Sequence, residues 1–179
     1  MEPIAIVAGL VYLDACAIID AIEKPTAEGQ ALINLIAEGA GTETPFITSD
    51  LSLTEVLVDP IRGLIDRAGT DENPESRFHH DWYIGNLVAD GLLIQTKAID
   101  RDILVQAALM RARVRSLKVP DAIHAATAFR FNCTHFVTGD AKLIRGIQRD
   151  PAWSISPRKF NFVPLNADAL DALRNELTS

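Results

Sequence analysis

Four acidic residues of this sequence are candidates for chemistry, and three of them lie at predicted strand or helix ends. Asp14 follows the apolar run LVYL, Asp140 follows the run FVTG, and Asp121 comes directly after a proline. Glu55 lies in a short segment whose other residues are mostly apolar or small. Oxygen ligands of this kind suit Mg²⁺ or Mn²⁺, whereas a zinc site would be expected to contain His and Cys. Asp14, Asp121 and Asp140 would converge on one edge of a parallel sheet, and they therefore predict a site for Mg²⁺ or Mn²⁺.

Each acid also has a simpler interpretation when it is considered alone. Asp14, Asp121 and Asp140 could cap helices or complement the positive end of a helix dipole, which is the more common role of an acid at the start of a helix. The set is harder to explain in this way, because carboxylates that converge repel one another and buried charge without a partner is costly. The set as a whole favours a bound cation.

The elements that would position these acids alternate between short apolar runs and amphipathic segments. The predicted strands cover residues 10–13, 46–48, 92–96, 135–138 and 160–165. The predicted helices cover residues 15–23, 26–39, 51–59, 75–89, 99–117, 120–131, 140–148 and 167–177. We expect Pro60 to end the third helix and residues 61–74 to form a loop or turn. The alternation predicts a three-layer α/β/α sandwich with a mainly parallel central sheet, in which sites gather at the carboxyl ends of the strands.

The composition restricts the classes of protein to which the chain could belong. Its 179 residues are 48% hydrophobic and 23% charged, which is typical of a globular fold. The formal net charge of -7 argues against a protein that coats nucleic acid, because such proteins neutralise phosphates with excess Lys and Arg. It does not exclude an enzyme that keeps its basic residues apart from an acidic metal site.

The cysteines and the apolar start of the chain bear on its compartment. Cys16 and Cys133 are far apart and lack paired-ligand spacing, so we expect free thiols in a reducing compartment. The early apolar run at residues 3–13 is too short to span a bilayer, and the acidic Glu2 is unlike the basic start of a signal peptide. We therefore predict a cytoplasmic protein that does not act at a membrane.

The order of the four acids resembles that in the PIN-domain ribonucleases, and among them the VapC-type toxins of toxin–antitoxin pairs. These proteins carry an early strand that ends in Asp, then a helical Glu, a helix that opens with Asp, and a strand followed by Thr-x-Asp. The corresponding segments here are VYLDACAII with Asp14, SLTEVL with Glu55, VPDAIHAATA with Asp121, and FVTGDAKL with Asp140. The resemblance covers roughly residues 9–147.

The resemblance implies a PIN-like fold and metal-dependent hydrolysis of RNA phosphodiester bonds. Asp14 and Asp121 would be the main ligands of Mg²⁺ (or Mn²⁺), directly or through water, and Asp140 would assist them. Glu55 would bind a metal-bound water or a second ion. The partners that it implies are an RNA substrate, a small antitoxin protein and a second copy of the chain in a homodimer.

The same resemblance divides the chain into two parts. Residues 1–150 are predicted to form the PIN-like nuclease domain, and residues 151–179 a C-terminal extension packed on the same domain.

Substrate binding is predicted from a stripe of basic residues just ahead of Asp121. Arg111, Arg115 and Lys118 recur at i, i+4 and i+7, a spacing that fits a track for RNA phosphates and fits a solvated helix face equally well. Thr138 could hydrogen-bond a ligand or a phosphate, although a strand Thr is more often structural.

The histidines are given structural roles. His124 lies one turn after Asp121 on an alanine-rich helix, where a hydrogen-bonded core residue is more common than a catalytic one. His79, His80 and Asp81 are consecutive, and consecutive side chains of a helix point in different directions, so we expect a solvated face.

Other functions fit the sequence less well. A phosphatase of the haloacid dehalogenase type needs a second Asp two residues after the first, and that position is Cys16. A dinucleotide-binding fold needs a glycine-rich turn after the first strand, which is missing. The alternative from another class is a catalytically inactive PIN-like binding or scaffold module. The presence of all four acids favours the enzyme.

Overall fold

A central sheet of parallel strands organises the computed structural model, which describes residues 9–39, 45–66, 73–88, 93–156 and 159–178. Its strands are β1 (Val11–Leu13), β2 (Phe46–Ser49), β3 (Gln95–Lys97), β4 (His135–Thr138) and β5 (Asn161–Pro164). The sheet order is β3-β2-β1-β4-β5, and every pair of neighbours is parallel. Short strands suffice here because the central ones are buried on both faces, as in other parallel sheets.

Helices connect the strands and cover both faces of the sheet. They are α1 (Ala15–Glu23), α2 (Ala27–Glu38), α3 (Asp50–Val56), α4 (Val58–Ile65), α5 (Pro74–Tyr83), α6 (Arg101–Arg113), α7 (Val119–Arg130), α8 (Ala141–Gln148), α9 (Pro151–Ser154) and α10 (Ala167–Thr178). A π-helical turn, Ile84–Val88, follows α5. No helix in the described ranges is long and apolar enough to cross a membrane.

Alternate residues of β1 face two separate apolar layers, which confirms the predicted three-layer α/β/α sandwich. Val11 and Leu13 pack with apolar residues of α1, α2 and α10, whereas Tyr12 packs on the other face with residues of α6, α7 and α8. All three are fully buried. This alternation is the two-residue period of a strand, with an apolar residue required at every position because both faces are covered.

The strand order places a topological switch point between β1 and β4. The chain runs outward from β1 to β2 and β3 on one side, then returns to lay β4 against the other side of β1. Leu13 and Val137 are register partners, so the carboxyl ends of these two strands lie beside each other. Ligands of open parallel sheets bind at such a point.

Several predicted boundaries were wrong in the region after β2. Pro60 does not end a helix there; it is the third residue of α4, where a proline is tolerated because the first N–H groups of a helix have no partner within it. Residues 61–65, predicted as loop, are helical, and residues 67–72 lie outside the described ranges. The predicted strand 92–96 is displaced to β3, and its first residue is also outside the described ranges.

The segment after residue 150 joins the same sheet. β5 pairs with β4 in parallel, and α10 packs against α2, where Arg174 forms an ion pair with Glu38 at 3.0 Å. Trp153 of α9 lies edge-on to Phe160, and the ring of Phe160 stacks on Phe136 of β4. The short helix α9 has no counterpart among the predicted elements.

Candidate active site

Asp14 lies at the carboxyl end of β1, at the switch point. Its side chain is largely buried and makes no capping hydrogen bond to α1. Instead, Oδ2 accepts a hydrogen bond from Thr138 Oγ1 at 2.7 Å and another from Cys16 Sγ at 3.1 Å. Two neighbouring groups thus fix the orientation of this carboxylate, so helix capping does not account for its position.

Asp140 follows β4 and does cap a helix. Its Oδ1 accepts from the backbone N–H groups of Lys142 and Leu143 at 2.7 and 3.1 Å, which satisfies the start of α8. Its own N–H donates to Thr138 Oγ1 at 3.0 Å. Thr138 therefore links the two acids: its hydroxyl donates to Asp14 and accepts from the backbone of Asp140. Both capping bonds end on Oδ1, which leaves Oδ2 of Asp140 for another interaction.

Asp121 lies in the first turn of α7 and is electrostatically coupled to the other two acids. Partial burial raises its pKa, and the negative charges of Asp14 and Asp140 raise it further, while Lys118 acts in the opposite direction. A carboxyl group whose pKa is raised by other carboxylates lies in a region of excess negative charge. The structure thus brings these three predicted residues into one region.

Glu55 is connected to the site through His124. Glu55 Oε2 lies 2.7 Å from His124 Nε2, and the same nitrogen is 3.6 Å from Oδ1 of Asp14. On the other side of the ring, Nδ1 lies 2.7 Å from the Tyr12 hydroxyl and 3.4 Å from Ser49 Oγ. Because the carboxylate of Glu55 can only accept, Nε2 carries a proton and donates it to Glu55, and in the neutral ring Nδ1 then accepts from the Tyr12 hydroxyl.

His124 is only 1% exposed, and its charge state follows from its neighbours. Burial alone lowers its pKa, but the hydrogen bond to Glu55 and the negative charges of Asp14, Glu55 and Asp121 outweigh burial and raise the pKa. It is a buried, hydrogen-bonded residue, and its partners include two of the predicted site acids. One feature of the sequence indicates that His124 lies near the site acids: it follows Asp121 by three residues and so shares its helix face.

Cys16 is not arranged as a nucleophile. Burial and the nearby charge of Asp14 raise the pKa of its thiol to about 12, so the group stays protonated at neutral pH. The thiol instead donates to Asp14, and Gly139 N–H donates to its sulfur at 3.3 Å. Its role in the site is to support the Asp14 carboxylate.

A groove of about 420 Å³ opens beside Asp121 and Asp140 and is lined by both acidic and basic side chains. Its acidic residues are Asp121, Asp140 and Asp150. Its basic residues are Arg113, Lys118, Lys142, Arg145 and Arg149.

The predicted basic stripe reaches this groove only in part. Lys118 lines it, but Arg111 and Arg115 do not. Arg111 Nε donates to the carbonyl of Leu117 at 3.1 Å, and Arg115 is exposed beyond the end of α6. Lys142 and Arg145 of α8 also line the groove, and they were not predicted as substrate-binding residues, although their spacing along the helix is visible in the sequence.

The described residues contain no group of three His, Cys, Asp or Glu side chains close enough to hold a metal ion by themselves. His80 and Asp81 form only an exposed contact of 2.9 Å on α5.

The fold and its acids define a parallel α/β protein with an acidic site at the switch point of the sheet, and sequence comparison identifies the family. The PIN domain model matches residues 11–148, and the chain belongs to the PIN domain family. A comparison with curated proteins found no significant match.

Solved structures with a similar fold include three toxin–antitoxin assemblies. VapBC2 from Rickettsia felis, bound to a DNA fragment from its promoter, aligns with a TM-score of 0.56 and 13% identity over 86% of this chain and 96% of that chain. DNA-bound VapBC from Salmonella typhimurium aligns with a TM-score of 0.57 and 12% identity, over 88% of this chain and 98% of that chain. A toxin–antitoxin complex from Klebsiella pneumoniae aligns with a TM-score of 0.52 and 20% identity, over 76% of this chain and 92% of that chain. Identities this low show similarity of fold alone.

Proposed function

We propose that this protein is a metal-dependent endoribonuclease whose Mg²⁺ or Mn²⁺ is held by Asp14, Asp121 and Asp140, directly or through water. The observation that carries the proposal is the position of Asp14 and Asp140 after the neighbouring strands β1 and β4, with Asp121 in the same region: partial burial raises the pKa of Asp121, and repulsion from the charges of Asp14 and Asp140 raises it further. A cation between them would offset that repulsion. Membership of the PIN domain family supports hydrolysis of a phosphodiester as the reaction.

The donor set fits a hydrated hard cation. All three ligands are carboxylates, and Mg²⁺ commonly binds through one or two of these while it keeps several waters. In this proposal water completes the coordination, because the described residues contain no group of three such side chains that could hold an ion. When bound, such an ion lowers the pKa of a water molecule and offsets charge on the phosphate.

The residues around the ligands have defined roles in this proposal. Thr138 and Cys16 hold the Asp14 carboxylate in one orientation through hydrogen bonds to Oδ2. Glu55, held by His124, orients a water molecule at the edge of the site. Burial of His124 and Thr138 keeps bulk water away from the inner side of the carboxylates.

The proposal predicts cleavage that depends on the ion. Purified protein should cleave a single-stranded RNA with Mg²⁺ or Mn²⁺, and EDTA should stop the reaction until the ion is restored. Cleavage that continues in EDTA would contradict the proposal. A catalytically inactive PIN-like binding or scaffold module would show no cleavage with either ion.

Ion binding is also measurable without turnover, through the melting temperature. Mn²⁺ at about 100 times its Kd should add about 2.7 kcal/mol to the stability of the wild type. Asp121→Asn should lose this gain yet melt higher than the wild type in EDTA at neutral pH. A carboxyl group whose pKa is raised by folding stabilises the protein at low pH and loses that contribution as the pH rises, so the ionised Asp121 opposes folding.

A second part of the proposal is that the protein is the toxin of a toxin–antitoxin pair. An apolar cleft of about 530 Å³ lies along α3 and α4. Val58, Ile61 and Ile65 line it and are 47%, 39% and 66% exposed, which is a high apolar exposure for one helix. Exposed apolar patches of this kind mark protein-binding surfaces. The complexes of the structurally similar proteins support an antitoxin segment as the partner.

Expression of the protein should arrest growth, and a small protein encoded beside its gene should relieve the arrest. Ile65→Asp places a charge in the apolar cleft, so it should raise the Kd of the complex with the small protein by at least about tenfold and reduce the protection from growth arrest. Cleavage by the free protein should be unchanged. Asp66→Asn, at the rim of the same cleft, is the matched control. Full protection of Ile65→Asp would exclude the cleft as the docking surface.

A further inference from the structure

The groove beside Asp121 and Asp140 concentrates positive charge in an otherwise acidic protein. Arg113, Lys118, Lys142, Arg145 and Arg149 all line it. The whole chain has 17 Lys and Arg residues against 24 Asp and Glu, for a net charge of -7. In this one groove the balance is reversed, because five basic residues meet three acidic ones.

The core fixes the direction of the basic residues on α8. Lys142, Arg145 and Arg149 recur at i, i+3 and i+7 and so lie on one face of the helix or its direct continuation. The opposite face is anchored by Leu143 and Ile147, which are 3% and 1% exposed. The three cations cannot turn away from the groove together without removing these two residues from the core.

The other wall of the groove lies close to α8. A Cβ built at Gly146 would lie 3.5 Å from Val114 and 3.6 Å from Ser116, which are ordinary contact distances. The segment that carries Arg113 and Lys118 therefore packs beside the basic face of α8. Cations of two separate segments thereby face one space.

No carboxylate of the described residues forms an ion pair with any of the five cations, although the charge of Lys118 acts on Asp121. Arg62 and Arg174 elsewhere on the surface are, by contrast, paired with acids. Two of the three acids in the groove already accept hydrogen bonds, since Oδ1 of Asp140 caps α8 and Oδ1 of Asp150 accepts from Ala152 N–H. Unpaired cations that share a groove repel one another, and an anionic ligand would relieve that repulsion.

We infer that this groove binds the phosphodiester backbone of a single nucleic-acid strand and leads it to the acidic site. The inference rests on the proposed function, and it deepens that function by assigning the substrate path. No Phe, Tyr or Trp among the described residues lines the groove, so the strand is held by its charge and not by stacking of its bases on aromatic rings. Contacts of this kind with phosphates carry no information about base sequence.

The length of the basic face sets the extent of the contact. Seven residues separate Lys142 from Arg149, which corresponds to roughly 10 Å along a helix. At about 3.4 Å per phosphate of one stacked strand, this face meets about three phosphates. Arg113 and Lys118 extend the contact on the opposite wall.

Binding of a labelled oligouridine in EDTA, followed by fluorescence anisotropy over a series of salt concentrations, tests the inference without any cleavage. The double variant Arg145→Gln/Arg149→Gln should weaken binding by about tenfold at low salt and reduce the slope of log K against log salt by about 1.4, since each phosphate contact to a single strand contributes about 0.7. Lys142→Glu should weaken binding further. These side chains are exposed, so the variants should fold normally.

The matched control removes the same charge elsewhere. Arg101→Gln/Lys24→Gln changes two exposed cations that do not line the groove and should leave the slope unchanged. Equal slopes for the two double variants would overturn the inference. If binding depends on the groove but no ion supports cleavage, the proposed function fails and the groove assignment stands. If cleavage requires Asp14 but KM is the same in both double variants, the groove assignment fails alone.

Discussion

Asp14→Asn should lower the rate of RNA cleavage by roughly 10³-fold or more and leave the fold intact. The loss follows because the carboxylate supplies negative charge to the ion, and an ion at the reacting phosphate is worth several kcal/mol, at 1.36 kcal/mol for each factor of ten. The fold should survive because an Asn side chain has the same shape, and its amide oxygen can still accept from Thr138.

Single-turnover cleavage at saturating Mn²⁺ measures this loss, and the melting temperature in EDTA measures the fold. Asp102→Asn is the control, since it neutralises an exposed acid in the first turn of α6. Undiminished cleavage by Asp14→Asn would remove Asp14 from the site and with it the proposed metal centre. Equal losses in Asp14→Asn and Asp102→Asn would instead point to an effect of net charge.

The position of two site acids could be predicted because local sequence determines it. Asp14 and Asp140 each follow a short run of apolar residues, and such runs form strands that are buried on both faces of a parallel sheet. The carboxyl ends of parallel strands lie along one edge, so the two acids had to share it. The pairing of β1 with β4, which makes them neighbours, could not be read from either run alone.

The environment of His124 could not be predicted in this way. Its helix contains so many small apolar residues that every position resembles the core, and His124 is indeed buried. What distinguishes it is its contact with Glu55, which is 69 residues away and belongs to a different helix. Contacts of this kind depend on how α3 and α7 pack together, and helical periodicity contains no information about that.

The basic stripe shows how a wrong boundary changes a functional prediction. Arg111, Arg115 and Lys118 share one face only if the helix continues to residue 117. In the structure α6 ends at Arg113, and Val114 adopts a non-helical conformation, so the spacing no longer places the three side chains together. Lys118 instead precedes α7 and reaches the groove from there.

The hydrogen-bond chain from Tyr12 through His124 to Glu55 should be required for fast cleavage. His124 Nε2–H holds one oxygen of Glu55 at 2.7 Å, and the Tyr12 hydroxyl fixes the ring from the other side, also at 2.7 Å. Loss of a group that orients a site carboxylate typically costs 10- to 100-fold in activity or metal affinity. We therefore expect His124→Asn to lower kcat by about 10- to 100-fold with little change in KM, because His124 lies away from the groove that would hold RNA.

A comparison of two amides separates this positioning role from simple packing. The amide nitrogen of Gln at this position falls near Nε2 and can donate to Glu55, whereas that of Asn falls near Nδ1 and cannot. His124→Gln should therefore recover most of the rate, although both variants disturb the core and leave the Tyr12 hydroxyl poorly satisfied, at about 1–3 kcal/mol of stability. Tyr12→Phe should reduce kcat less than His124→Asn, since Ser49 Oγ lies 3.4 Å from Nδ1 and can replace the lost donor. If rates follow melting temperatures across the three variants, His124 is structural; if the rate follows the presence of a donor at the Nε2 position, His124 positions Glu55 for the reaction.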